Sequence, residues 1–163
     1  MVLPGYIREA VVGRSDSDLE TIKDWLDNGG DVDDFDPSER RTLLLLGISY
    51  ERLEVVKLAV SHGANVNEPG DLDVPEAPLF SVIGEDAKEF TLEVISLLLD
   101  AGAHINATTP NADSGVYIAG ETALSNAIDW FRYDKDEFSE KALAWVSLLL
   151  RRGAKLDLSL IHI

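Results

Sequence analysis

Leu53-Glu54-Val55-Val56-Lys57-Leu58-Ala59-Val60-Ser61-His62-Gly63-Ala64-Asn65-Val66-Asn67 is the stretch on which the fold turns. Leu53, Val56 and Val60 stand three and then four residues apart, which places them along one stripe of a 3.6-residue helix. The stretch therefore reads as an amphipathic helix with one buried face. Gly63 follows three residues past Val60, where a helix commonly ends in a left-handed residue that glycine adopts without strain. Ala64 is small enough to let the next turn approach, and Val66 supplies one inward apolar contact. Asn67 suits a turn held by side-chain bonds to nearby amides.

The same register recurs three more times. Leu19, Ile22 and Leu26 lead to Gly29-Gly30-Asp31-Val32-Asp33. Leu92, Ile95 and Leu99 lead to Gly102-Ala103-His104-Ile105-Asn106. Leu143, Val146 and Leu150 lead to Gly153-Ala154-Lys155-Leu156-Asp157. Upstream of three copies lies a shorter apolar stretch, Thr42 to Ile48, Pro78 to Ile83 and Thr122 to Ile128. Thr42 and Thr122 are N-cap residues by type, and Pro78 suits a first helical turn, where its missing N–H costs nothing. Each unit is then a short helix, a turn, a longer helix and an extended loop.

This pattern resembles the ankyrin repeat, whose units carry a Thr-Pro-Leu-His-like helix start and a second helix ending in Gly-Ala-x-Val-Asn. The second unit, Thr42 to Asn67, is most similar, and the resemblance runs from about residue 5 to 158. Leu45, Phe80 and Ser125 stand where the family has histidine, and its proline survives only at Pro78. The resemblance implies an all-α ankyrin-repeat solenoid of stacked helix-turn-helix units with extended loops. The expected organisation is a single domain over 1–163, with units at approximately 5–36, 37–70, 71–109 and 110–158 and a tail at 159–163.

The units are unequal. Glycines 29, 63, 102 and 153 are 34, 39 and 51 residues apart, while the second helix keeps its register throughout. The additions are expected in the turn between helices, at Gly84 to Phe90 in the third unit and Asp129 to Lys141 in the fourth. The loops Glu68 to Ala77 and Ala107 to Glu121 are also long, and long loops on a rigid scaffold are common binding elements.

A chain of 163 residues with 45% hydrophobic residues can fill one core across four stacked units. It has no cysteine, which excludes disulfides and thiolate metal sites. The start lacks a basic region followed by an apolar run, and no apolar segment approaches roughly 18 residues. A cytoplasmic protein is expected. The net charge is −16, and residues 59–130 hold twelve acids against Lys88 alone, or −11. Such a field repels nucleic acid and anionic lipid and speeds encounter with a basic protein; it also keeps a repeat protein soluble.

Asp31, Asp33, Asp34, Asp36 and Glu39 crowd one loop, but Phe35 and Asp36 fall where a calcium-binding EF-hand loop needs an acid or amide and then a glycine. A solvated or partner-binding loop is the better reading. His62, His104 and His162 have no recurring Ser or Cys partner and read as structural. No catalytic, cofactor-binding or metal-binding residue is expected. Asn106-Ala107-Thr108 matches the glycosylation triplet but lacks a secretory context.

Ankyrin domains bind through loop tips and the inward-curving side of their first helices. The resemblance carries that role onto Asp34, Phe35, Asp36, Glu39 and Arg41, then Tyr50, then Asp71, Asp73 and Glu76, then Glu121, Asp129 and Trp130. Tyr50 and Trp130 are the expected aromatic anchors, with Tyr117 and Ile118 able to join them. Trp25 and Trp145 are expected in the core, and Phe131 and Phe138 against their own insertion. Arg8, Glu9, Arg14, Asp16 and Asp18 give the first unit the charge of an end cap. The apolar tail Leu158 to Ile163 is expected to fold back over the fourth unit; otherwise it presents a docking edge.

The functional expectation is a non-enzymatic protein-protein interaction module, monomeric when free, that recognises one basic protein and binds neither nucleic acid nor membrane. A sharper form is inhibition by occlusion, as an immunity or antitoxin protein does to a basic toxin. The alternative is an adaptor or subunit docking through its C-terminal hydrophobic edge.

Overall fold

In a computed structural model, which describes residues 2–68, 77–83, 88–109, 120–133 and 138–156, the described chain is mostly helical. Eight helices occur among those residues: α1 (Gly5–Val12), α2 (Asp16–Asp27), α3 (Leu43–Ser49), α4 (Leu53–Ser61), α5 (Pro78–Ser81), α6 (Lys88–Asp100), α7 (Ala123–Tyr133) and α8 (Phe138–Arg151). Successive helices pack as four pairs. The first members α1, α3, α5 and α7 contact one another in chain order, and so do the second members α2, α4, α6 and α8. One hydrophobic core runs the length of the stack, from Leu3 and Ile7 through Leu46 and Val56 to Ile95 and Leu149.

Short-range chemistry sets the helix ends. Ser15 forms a reciprocal capping box with Asp18 at the start of α2. Thr42 accepts the Leu45 amide at 3.4 Å, and Thr122 accepts that of Ser125 at 3.1 Å. Pro78 occupies the first turn of α5. At the other end, Gly29, Gly63, Gly102 and Gly153 have φ of +90°, +82°, +94° and +95°. Each glycine N–H bonds the carbonyl three residues back, and the next N–H bonds the one five back, all at 2.9–3.1 Å. This is the Schellman ending, repeated four times.

The residues after those glycines tie the pairs together. The Asp33 carboxylate accepts the Asn65 amide at 2.9 Å, the Asn67 side chain accepts the His104 amide at 2.8 Å, and Asn106 accepts the Lys155 amide at 2.8 Å. These residues, expected to hold a turn through nearby amides, reach amides of the next pair with their side chains instead. The local turn is held instead two residues earlier, by Asp31 on the Asp33 amide and Asn65 on the Asn67 amide, both at 3.1 Å.

Between the first two pairs the chain is extended. β1 (Phe35–Asp36) pairs antiparallel with β2 (Arg41–Thr42), with Phe35 opposite Thr42 and Asp36 opposite Arg41. An isolated bridge from Thr108 to Thr122 holds the corresponding place before α7.

The insertion of the fourth unit differs from expectation. Its residues mostly lengthen the helices rather than the turn, since α7 runs on to Tyr133 and α8 begins at Phe138. No glycine or proline lies between Asp129 and Lys141, so neither helix meets a breaker where it extends into the insertion; residues 134–137 lie outside the described residues. In the third unit, likewise, Lys88, Glu89 and Phe90 belong to α6, and Phe90 is buried; Gly84–Ala87 lie outside the described residues. No helix among the described residues is long and apolar enough to cross a membrane.

Candidate functional site

The hairpin between the first two helix pairs gathers five of the expected binding residues, Phe35, Asp36, Glu39, Arg41 and Tyr50. Asp36 is its centre. One carboxylate oxygen accepts the Ser38 amide at 2.8 Å, the Ser38 hydroxyl at 2.6 Å and the Glu39 amide at 2.7 Å. The other lies 3.7 Å from the Arg8 guanidinium. Burial alone pushes the Asp36 pKa up, but the hydrogen bonds from Ser38 and Glu39, with the Arg8 charge, outweigh it and hold the group below the ordinary carboxylate range.

This corrects the expectation of an exposed acidic tip. Asp34 and Asp36 are 6% and 3% exposed, so neither is presented to a partner there. Asp36 is a turn-former by its bonding. Glu39 does keep a position near the surface, where its two oxygens take the Tyr50 hydroxyl at 2.7 Å and the Arg41 guanidinium at 3.8 Å. The bond to Glu39, and then burial, raise the Tyr50 pKa. Tyr50 also packs on the core, so its ring braces Glu39 instead of standing free as an anchor. Arg8 belongs to the same cluster, a role that a position 28 residues upstream of Asp36 gave no reason to assign.

The remaining expected residues are elsewhere. Glu121 is buried, and its backbone pairs with Thr109 while its amide also donates to the Thr109 hydroxyl at 3.0 Å. Asp129 is half-buried, and Trp130, on α7, is 36% exposed. Asp71, Asp73, Glu76, Tyr117 and Ile118 lie outside the described residues, as do the side chains of Phe131 and Phe138. Trp145 is fully buried, as expected; Trp25 is only half-buried, which departs from the expected core position.

Ionic contacts join neighbouring pairs. His62 bridges Asp27 of the preceding pair through Nε2 at 3.1 Å and the Leu58 carbonyl through Nδ1 at 3.0 Å. The Asp27 contact, then that carbonyl, raise the His62 pKa. Arg152 occupies the equivalent place on the fourth pair and meets Asp100 at 2.6 Å. Lys57 joins α4 to Glu93 of α6 at 2.8 Å. Arg52 donates to the Val11 carbonyl at 2.7 Å, at the C-terminal end of α1. At the far end of the stack, Leu143, Leu150 and Leu156 are about half exposed. The tail beyond Leu156 lies outside the described residues.

Fold and site together define a class: an all-α protein of stacked helix pairs, strongly acidic, with polar clusters at the turns between pairs. Compared with known proteins, the chain matches no family model and no curated sequence.

Proposed function

We propose that this chain is an ankyrin-type repeat module whose work is to bind a basic protein, without catalysis. The observation that carries the reading is the concentration of negative charge on a braced scaffold. Residues 59–130 hold twelve acids against one lysine, and the described helix pairs of the chain are joined by the Asp33, Asn67 and Asn106 ladder. A rigid surface of one sign raises the encounter rate with the opposite sign and loses little conformational entropy on docking. Of the acids of this stretch that the structure describes, Glu68, Glu89, Glu93 and Asp100 are exposed, and so is Trp130; Asp71, Asp73 and Glu76 remain proposed contact residues outside the described ones. Occlusion of a basic toxin or enzyme, as by an immunity protein, is the sharper form of this proposal.

The test is affinity capture from the source cell's lysate at low and at high salt, with mass spectrometry of what is retained. A single basic protein held at low salt and weakened at high salt supports the proposal, because surface charge recognition is screened within about 10 Å at 0.1 M salt. Charge reversal at Asp71, Asp73 and Glu76 should then slow association with that protein. Unchanged association kinetics at low salt would count against electrostatic recognition.

A second reading, an adaptor docked through its C-terminal edge, is favoured by the exposed Leu143, Leu150 and Leu156. Salt-insensitive capture that is lost when Leu143 and Leu150 are changed to polar residues would select it.

A further inference from the structure

The first helix pair breaks the pattern of the other three at two positions that touch. After the helix-ending glycine the other pairs carry Ala64, Ala103 and Ala154, whereas the first carries Gly30; five residues earlier they carry the fully buried Ala59, Leu98 and Leu149, whereas the first carries Trp25. The two departures require each other. A Cβ at position 30 would lie 2.3 Å from Cε2 of the Trp25 indole, so the ring rests where any side chain would collide.

Trp25 is thereby held at the wall of an open cavity of about 680 Å³, to which Tyr6 of α1, 54% exposed, contributes a second aromatic ring. The charged lining consists of Asp24, Asp31 and Asp34, with no lysine, arginine or histidine. Asn28 and Gly29 bring the C-terminal end of α2 into the lining, where the helix dipole is negative. Carboxylates, helix end and ring faces all favour a cation. Aromatic walls favour one with a flat, weakly hydrated surface, which describes a guanidinium better than an ammonium.

We propose that this cavity receives an arginine side chain of the basic partner, stacked on Trp25 or Tyr6 and paired with Asp24 and Asp31. This rests on the reading of the chain as a binder of a basic protein, and it moves the anchoring point from the Tyr50 hairpin to the first helix pair.

The experiment titrates Nα-acetyl-arginine amide into the full-length, isotope-labelled chain at low salt, with the uncharged isostere Nα-acetyl-citrulline amide as control. Amide and indole signals are followed by two-dimensional NMR. The expected result is a saturable shift of the Trp25 indole N–H and of the Gly29, Gly30 and Asp31 amides with arginine and none with citrulline. Asp24→Asn with Asp31→Asn should weaken it about tenfold. That variant is expected to keep the fold, because Asn65 stands at the equivalent place of Asp31 and makes the same turn bond at 3.1 Å, and Asp24 is exposed. Shifts spread over all acidic surfaces, or no saturation at Trp25, would overturn the proposal. Capture of the partner separates the two readings. A partner held equally by the native chain and by Tyr6→Ala with the two asparagine changes would leave the binding function standing and remove the arginine cavity. Saturation at Trp25 with no protein captured would keep the cavity and count against the broader function.

Discussion

Single side chains in this protein do work that their sequence positions only half disclose. Gly30 is one. Gly30→Ala is expected to cost about 1–3 kcal/mol in urea unfolding, because an indole cannot yield to a Cβ at 2.3 Å without leaving its rotamer or moving the turn. Asp36 is another, since Asp36→Ala removes a buried carboxylate that accepts the Ser38 and Glu39 amides and the Ser38 hydroxyl and lies beside Arg8. A loss of about 2 kcal/mol should follow. His62 makes stability depend on pH. Its folded pKa is raised, so the contribution of its contact with Asp27 is complete below the unfolded value of about 6.5 and fades as the pH rises through the folded one. Stability by urea titration should therefore decline as the pH rises above about 6.5. The decline should be shallower in His62→Asn, a change that copies Asn28 of the first pair. The cysteine-free composition and the helix-ending glycines could be read directly from the chain. The coupling of Gly30 to Trp25 could not, because it is a contact between rings and backbone that no periodicity encodes.

The elements follow the repeat closely where local chemistry decides, and depart from it where length is free. Stripe spacing, caps and the positive-φ glycines place the helix starts and stops of α2, α4 and α6 within the register. The ladder that joins neighbouring pairs is a property of elements in contact. Asn67→Ala removes both the bond to the His104 amide and the bond from its Nδ2 to the Gly102 carbonyl at 3.2 Å. It should cost about 1–2 kcal/mol at this half-buried site, while Asp33→Asn, which keeps an acceptor, should cost less. A urea series on both variants checks the order. The added residues of the fourth unit show the limit of register. Their number was visible in the spacing of the glycines, but whether they form loop or helix depended on the packing of α7 against α8.

The whole molecule is a row of helix pairs in which each touches mainly its neighbours, so its stability is distributed along the row. Amides of α3 and α4, covered on both sides by α1 and α2 and by α5 and α6, should exchange with solvent more slowly than those of α1 and α2 or α8 in a native-state hydrogen-exchange experiment. Equal protection across the row would point to a single all-or-none unit. The amino-acid sequence by itself determined that the chain is helical, that its helices come in pairs at a repeating register, and that its middle is strongly acidic. Those are properties of composition and of local periodicity, which a chain carries wherever it folds. Only the tertiary structure decided that Asp34 and Asp36 are buried, that Tyr50 leans on Glu39, that Asp33, Asn67 and Asn106 reach the next pair, and that Tyr6 and Trp25 wall a carboxylate-lined cavity. Each of those depends on groups tens of residues apart, or on the direction a side chain takes after packing, and neither distance nor direction is written in a linear pattern.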